Sequence, residues 1–66
     1  MEIKFNGEKL SVQVNNLGQL LSEKDLFEKT GIAVAINSSV MSKSKWNETL
    51  LQENDEILII TAAAGG

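Results

Sequence analysis

Apolar and polar residues alternate at the start of the chain. Residues 1–5 (MEIKF) place apolar side chains at the odd positions, which is the pattern of a half-buried β-strand. Asn6-Gly7 follows, a pair that tolerates the positive φ angles of a two-residue hairpin turn. Residues 9–14 (KLSVQV) alternate again. The sequence therefore predicts that a β-hairpin opens the domain.

A helical pattern comes next. Asn16 is a candidate N-cap, and Gln19, three residues later, completes a capping-box arrangement. The apolar spacing that follows indicates one buried helix face, formed by Leu17, Leu20 and Leu21. We expect one helix over residues 17–29, with Gly31 as its C-terminal stop.

The second half of the chain predicts three more strands. Residues 32–36 (IAVAI) form an uncharged run typical of an interior strand, and residues 40–41 form a brief strand after a turn. Residues 42–47 (SKSKWN) indicate an irregular or 3₁₀ segment, after which the leucines at 50–51 return to the core. Residues 57–60 (ILII) predict a central strand. The order is an α+β pattern in which a mixed sheet packs on one helix.

The end of the sequence differs in composition from the rest. Residues 62–66 (AAAGG) carry no polar side chain, and at ~3.3–3.6 Å per residue they can extend about 16–18 Å. We therefore divide the chain into one domain over residues 1–61 and a flexible C-terminal tail over residues 62–66.

The side-chain inventory argues against an enzyme with its own active site. The 66 residues include no His, Cys or Arg, which removes the usual general base, the thiol nucleophile and the common zinc ligands. A domain this small also has little surface left to wall a pocket of roughly 300–1,000 Å³. We predict no catalytic residue, no metal site and no cofactor bound by the chain itself.

Charge and hydropathy restrict the binding partners and the cellular compartment that we expect. The net charge is −3, whereas a nucleic-acid binder needs a basic surface. No apolar run approaches the ~20 residues that span a membrane, and residues 1–10 show no secretion signal. The absence of cysteine fits a reducing compartment. We expect a cytoplasmic protein that binds neither nucleic acid nor membrane.

Two charged segments are explained by the fold and need no binding function. The acidic residues at 53–56 precede a strand, where we expect a solvated turn with Asn54 in a left-handed conformation. Lys43 and Lys45 flank Trp46, which suggests a basic and aromatic patch. The favoured interpretation places Trp46 under the sheet edge and both lysines in water.

The terminal glycines are the candidate site of chemistry. Gly65 and Gly66 have no Cβ, so the narrow channel of another protein can close around their backbone. The Gly66 carboxylate would then reach a distant active site while the domain stays outside. Ala64 and Gly65 would enter the channel with it. The alternative is that these glycines are incidental.

Several segments together resemble a known family. They are MEIKFNG at 1–7, LL at 20–21, AVAIN at 33–37, Trp46, NDEILII at 54–60 and AGG at 64–66. The chain resembles the ThiS family, the sulfur-carrier proteins of thiamine biosynthesis, and that resemblance implies a ubiquitin-like β-grasp fold. The family often has Pro-Arg where this chain has Ser42-Lys43, and Gly-Asp where it has Asn54-Asp55. A lysine at 43 cannot form the bidentate contact of an arginine.

The resemblance implies a protein that is itself a substrate. An adenylating, E1-like activating enzyme would use Mg-ATP to adenylate the Gly66 carboxylate. A sulfur-donating persulfide protein would then displace AMP and leave a terminal thiocarboxylate. Thiazole synthase would receive the sulfur. ATP and magnesium would belong to the activating enzyme, where the metal neutralises phosphate charge.

Strand alternation suggests a second site. If Ile57 and Ile59 face the helix, Leu58 and Ile60 face the other side of the sheet. Two large apolar side chains there would form a docking patch for the partners. The alternative is that loops or neighbouring strands cover them.

Two other functions remain open at this stage. The small subunit of molybdopterin synthase has the same chemistry and a Gly-Gly terminus, although that family is usually longer. A non-covalent ubiquitin-like interaction module would use the sheet surface and leave the glycines without a chemical role.

Overall fold

A computed structural model describes residues 1–61 as one sheet with one α-helix packed against it. The elements are β1 (Glu2–Phe5), β2 (Glu8–Ser11), α1 (Leu17–Glu23), β3 (Ile32–Ile36), β4 (Ser39–Met41), a 3₁₀ helix (Lys43–Glu48) and β5 (Glu56–Thr61). The sheet order is β2-β1-β5-β3-β4. The β1–β5 pair is parallel and the other pairs are antiparallel. The predicted tail, residues 62–66, lies outside the described residues.

The opening hairpin is confirmed. Asn6 and Gly7 take φ angles of 52° and 85°, as a two-residue turn between paired Phe5 and Glu8 requires. The Asn6 side chain also accepts a hydrogen bond from the Ile59 N–H, at 2.9 Å. This bond links the turn to β5, the central strand, so the Asn6 side chain has a structural role.

The helix begins as predicted. Asn16 is the N-cap, and its Oδ1 accepts from the Gln19 N–H at 2.8 Å. The Gln19 side chain accepts in turn from the Asn15 N–H at 2.8 Å. The first bond satisfies the Gln19 N–H, one of the donors that the first helical turn leaves without partners. The second satisfies the Asn15 N–H, one residue before the N-cap, so the capping box is displaced by one residue.

The predicted extent of the helix is wrong, because α1 ends at Glu23 and not at residue 29. Asp25 adopts a left-handed conformation with a φ of 60°, and the Leu26 N–H donates to the Leu21 carbonyl at 2.7 Å. The Asp25 N–H also reaches the Ser22 carbonyl at 3.1 Å. These two bonds form a Schellman motif. The stop is therefore Asp25 and not Gly31.

The core lies between α1 and one face of the sheet. Its fully buried side chains are Ile3, Leu17, Leu20, Leu21, Val34 and Ile57. Trp46 is 2% exposed, and its indole N–H donates to the Met41 carbonyl at 3.1 Å. This placement confirms the prediction that Trp46 packs under the sheet edge.

The prediction that both leucines at 50–51 return to the core is half wrong. Leu51 is buried, whereas Leu50 is 71% exposed. The segment is extended, with an isolated bridge from Leu50 to Asn16. Because successive side chains of extended backbone point to opposite sides, only one of the two can enter the core.

The acidic turn is as predicted at its tip but not at Asp55. Asn54 is left-handed, with a φ of 70°, while Asp55 is only 9% exposed. Its carboxylate accepts from the Asn37 side-chain amide at 2.9 Å and from the Gln52 N–H at 2.8 Å. The Asn37 Oδ1 accepts from the Glu56 N–H at 3.0 Å. Asp55 therefore joins the β3–β4 turn to the start of β5.

Replacing Asp55 with alanine is expected to lower the free energy of unfolding by about 2–3 kcal/mol, because a charged acceptor of two hydrogen bonds is removed from a largely buried position. Urea unfolding measures this loss. Glu56→Ala is the matched control, since it removes the same charge from an exposed neighbour. Equal losses in the two variants would contradict the structural role of Asp55.

Candidate functional site: the outer face of the sheet

The sheet face opposite α1 displays the two residues predicted as a docking patch. Leu58 is 48% exposed and Ile60 is 44% exposed, whereas Ile57 is fully buried. Ile59, on the same side as Ile57, packs against the core. The predicted orientation of the strand is therefore confirmed. Within residues 1–61, no loop or strand covers Leu58 and Ile60.

Strand register extends this apolar surface beyond β5. Ala35 lies opposite Leu58 and Ala33 lies opposite Ile60, and residues directly opposite each other in an antiparallel pair share a face. Ala35 is also opposite Val40 on β4, and Val40 is 68% exposed. We call these five residues the outer patch. Two small side chains form its floor between larger ones on either side.

Sequence reasoning missed the contribution of Val40. Its place on this face depends on two successive registers, from β5 to β3 and from β3 to β4, which no local pattern reveals. The alternation of alanine with larger residues in IAVAI was the available signal, because it shows that one face of β3 carries only small side chains.

The remainder of the same face is polar. Lys4 on β1 lies opposite Lys9 on β2 and beside Glu56 on β5. Glu2 and Ser11 form the next pair toward one end of the hairpin. The outer face is thus divided into a charged part, on β1, β2 and the first residue of β5, and an apolar part on the rest of β5, β3 and β4.

The outer patch lies close to where the described chain ends. Thr61 is the last residue of β5 and pairs with Ile32 at the start of β3. Ile60, in the patch, directly precedes it. The predicted reactive residue Gly66 and the passage residues Ala64 and Gly65 lie outside the described residues, so their roles stay predictions.

Lys43 is exposed, as predicted, but it does not extend freely into water. Its Nζ lies 5.7 Å from the centre of the Phe27 ring and 5.9 Å from that of Trp46. Both distances allow cation–π attraction. The two rings pack edge to face with their centres 5.6 Å apart. The Lys43 ammonium group therefore lies next to the aromatic pair.

Conventional catalytic groups do not converge in the part of the chain that the structure describes. Among residues 1–61, no group of three or more His, Cys, Asp or Glu side chains is arranged to hold a metal ion. No helix in this part is long and apolar enough to cross a membrane. The outer patch is a candidate recognition surface because its large apolar side chains are exposed.

A mixed sheet in this order, with one helix on one face and an apolar patch on the other, defines a ubiquitin-like β-grasp protein. The fold matches the crystal structure of the thiamine biosynthesis protein ThiS from Geobacter metallireducens, with a TM-score of 0.85, 22% identity and full coverage of both chains. A solution structure of a thiamine biosynthesis protein from the same organism matches with a TM-score of 0.75 and 22% identity, over 100% of this chain and 88% of the other.

Sequence comparison identifies the family. The model of the ThiS family matches residues 2–66. The sulfur carrier protein ThiS of Escherichia coli strain K12 is 29% identical over 66 residues, which cover all of both chains. The chain therefore belongs to the ThiS family, the sulfur carriers of thiamine biosynthesis.

Proposed function

We propose that this chain carries sulfur on the carboxylate of Gly66 and donates it for formation of the thiazole ring of thiamine. The observation that carries the proposal is the family match over residues 2–66, which includes the terminal Gly65-Gly66. The position of β5 supports it. The strand lies in the middle of the sheet, so the residues that follow it are attached to a rigid base.

The first step is activation of the carboxylate. A carboxylate is a poor acyl donor because its leaving group would be oxide. One Gly66 oxygen attacks the α-phosphorus of ATP, pyrophosphate leaves, and a mixed anhydride with AMP forms. The activating enzyme supplies ATP and magnesium, whose charge stabilises the phosphates. The carrier supplies the carboxylate on a backbone without bulky side chains.

The second step introduces sulfur. The terminal sulfur of a protein persulfide attacks the Gly66 carbonyl carbon, and AMP leaves with its electron pair. The resulting acyl disulfide is cleaved by a thiol, which is oxidised while the carbonyl retains one sulfur as a thiocarboxylate. Thiazole synthase then takes that sulfur. The sequence has no cysteine, and this route requires none in the carrier.

The outer patch has a separate role in this proposal, which is to dock the body of the carrier. Leu58 and Ile60 are the central anchors, with Val40 on the other side of the alanine floor. Large apolar side chains at the centre of an interface contribute most to its affinity. The activating enzyme and thiazole synthase would use this surface in turn, since both must receive the same terminus.

Family membership favours thiamine biosynthesis over molybdopterin synthesis as the pathway. A purely non-covalent module would leave the terminal glycines without a function, although the family match extends through them. The use of ATP and reduced sulfur is consistent with a reaction in the cytoplasm, which is the location we propose. The receiving synthase distinguishes the two pathways, because only the correct one would remove sulfur from the charged carrier.

Activation is tested by exchange of labelled pyrophosphate into ATP. A thiamine-pathway activating enzyme should catalyse this exchange only when the chain is present, because the reverse reaction needs the acyl adenylate. Stimulation that saturates with the concentration of the chain supports the proposal. No exchange with an enzyme that is active toward its own carrier would contradict it.

A further inference from the structure

A notch interrupts the sheet edge on β4. It has a volume of about 390 Å³ and is lined by ten residues that include Lys29, Gly31, Ile32, Met41, Lys43 and Trp46. The notch exists because β3 is five residues long and β4 only three. The last β4 pair joins Met41 to Val34, and the chain then enters the 3₁₀ helix. No residue of β4 therefore pairs with Ile32.

The register shows which backbone groups face the notch. The Asn37 N–H donates to the Glu56 carbonyl on β5 at 2.9 Å. Because successive residues of a strand direct their backbone groups to opposite neighbours, the odd-numbered residues of β3 bond to β5 and the even-numbered ones face β4. Ile32 is even-numbered and lies beyond the last β4 pair. The register gives its N–H and carbonyl no partner on β4, and none of the turn and loop hydrogen bonds among residues 1–61 involves them.

The charge of the notch is opposite to that of the whole chain. Two of the six lysines, Lys29 and Lys43, line it, and no Asp or Glu does. The net charge of the chain is −3, so this local excess of positive charge runs against the average. The Lys43 ammonium group lies next to the Phe27 and Trp46 rings, and this contact restricts its side chain, which lowers the entropy cost of an ion pair there.

The notch is also continuous with surfaces already described. Ala33 and Val40 line it and belong to the outer patch. Ile32 pairs on its other side with Thr61, the last described residue before the proposed reactive tail. A protein that receives this tail and covers the outer patch would therefore also meet the notch.

We infer that the notch binds an extended, acidic segment of the activating enzyme. One residue of that segment pairs with the Ile32 backbone, as in strand addition at a sheet edge, and a carboxylate lies between Lys29 and Lys43. The opposite edge, β2, carries Glu8 and Lys9, charges that discourage strand pairing. Strand β4 has no charged residue, so this edge lacks that protection. The inference rests on the proposed function, because it names the same partner.

Steady-state activation separates this inference from the proposed function. Lys29→Glu and Lys43→Glu are each expected to raise the KM for the carrier roughly tenfold in pyrophosphate exchange, equivalent to about 1.4 kcal/mol, with kcat unchanged. Lys9→Glu makes the same charge change on the far edge and should leave KM unaltered. Lys29 is not one of the lysines stacked on an aromatic ring, so its variant tests the notch even if loss of the Lys43 contact weakens the fold.

Amide hydrogen exchange tests the backbone contact. The Ile32 amide should exchange rapidly in the unbound chain and become protected in the complex with the activating enzyme. KM values equal to that of Lys9→Glu, or an Ile32 amide that exchanges equally fast in both states, would overturn the inference. Protection already present in the unbound chain would assign the notch to a second copy or to the chain's own terminus, and so would also overturn it. If the unaltered chain supports no pyrophosphate exchange, the proposed function is overturned as well.

Discussion

A chain that lacks Gly66 is expected to show no activation above background in pyrophosphate exchange. The truncated chain ends in the Gly65 carboxylate, about 3.3–3.6 Å short of the position that the intact terminus reaches. Near-attack geometry tolerates errors well below that distance, because a displacement of ~1 Å can already cost about a hundredfold in rate. This is the largest effect that the proposed function predicts.

A chain amidated at Gly66 is the matched control for that deletion. It keeps the full length and all of the backbone, and it differs only in the group that attacks ATP. It should bind the activating enzyme and inhibit competitively, without supporting exchange. Activation of the truncated chain at the rate of the intact one would show that Gly66 is not the reactive residue.

Ile60→Asp is expected to raise the KM for activation by roughly tenfold or more, since truncation or charge at the centre of an interface commonly costs more than 1 kcal/mol. An aspartate on the outer patch would have to lose its water against an apolar partner. The side chain is 44% exposed, so the fold should remain intact. Pyrophosphate exchange measures the expected rise in KM, and the urea midpoint checks that the fold is intact.

Ser11→Asp is the control for Ile60→Asp. It introduces the same charge on the same face, at the exposed far edge of the sheet. Its KM should equal that of the unaltered chain. An unchanged KM for folded Ile60→Asp would remove the docking role of the outer patch while leaving the chemistry at Gly66 untouched.

Local patterns predicted most of the fold. Alternation located the strands, and the Asn6-Gly7 pair located the first turn because its geometry depends on these two residues alone. Asn16 and Gln19 located the start of the helix for a similar reason. The resemblance of the whole chain to the ThiS family added the topology, which local patterns do not specify.

The end of the helix could not be read from the sequence. A left-handed residue after a helix is most often glycine, which favours Gly31 as the stop, but Asp25 takes that conformation directly after α1. The run of charged residues around it has good helix propensity. Leu26, whose N–H bonds to the Leu21 carbonyl at the end of the helix, also packs against the core. We therefore attribute the end of the helix to the packing of the chain that follows it.

The site was predictable to the extent that it follows strand alternation. Leu58 and Ile60 were placed on the outer face by parity, and the structure has them there. Val40 and the notch depend on how far β4 continues beside β3, a long-range property. The burial of Asp55 likewise depends on Asn37, which is 18 residues away. An acidic turn gave no local sign of that partner.

The mass of the intact chain tests the central claim most directly. After incubation with ATP, a persulfide sulfur donor, a thiol reductant and the thiamine-pathway activating enzyme, we predict exchange of one oxygen for one sulfur. Fragmentation should place that sulfur on Gly66, and addition of thiazole synthase with its other substrates should remove it. An unchanged mass under conditions that charge the enzyme's own carrier, or sulfur located at any other residue, would contradict the proposal.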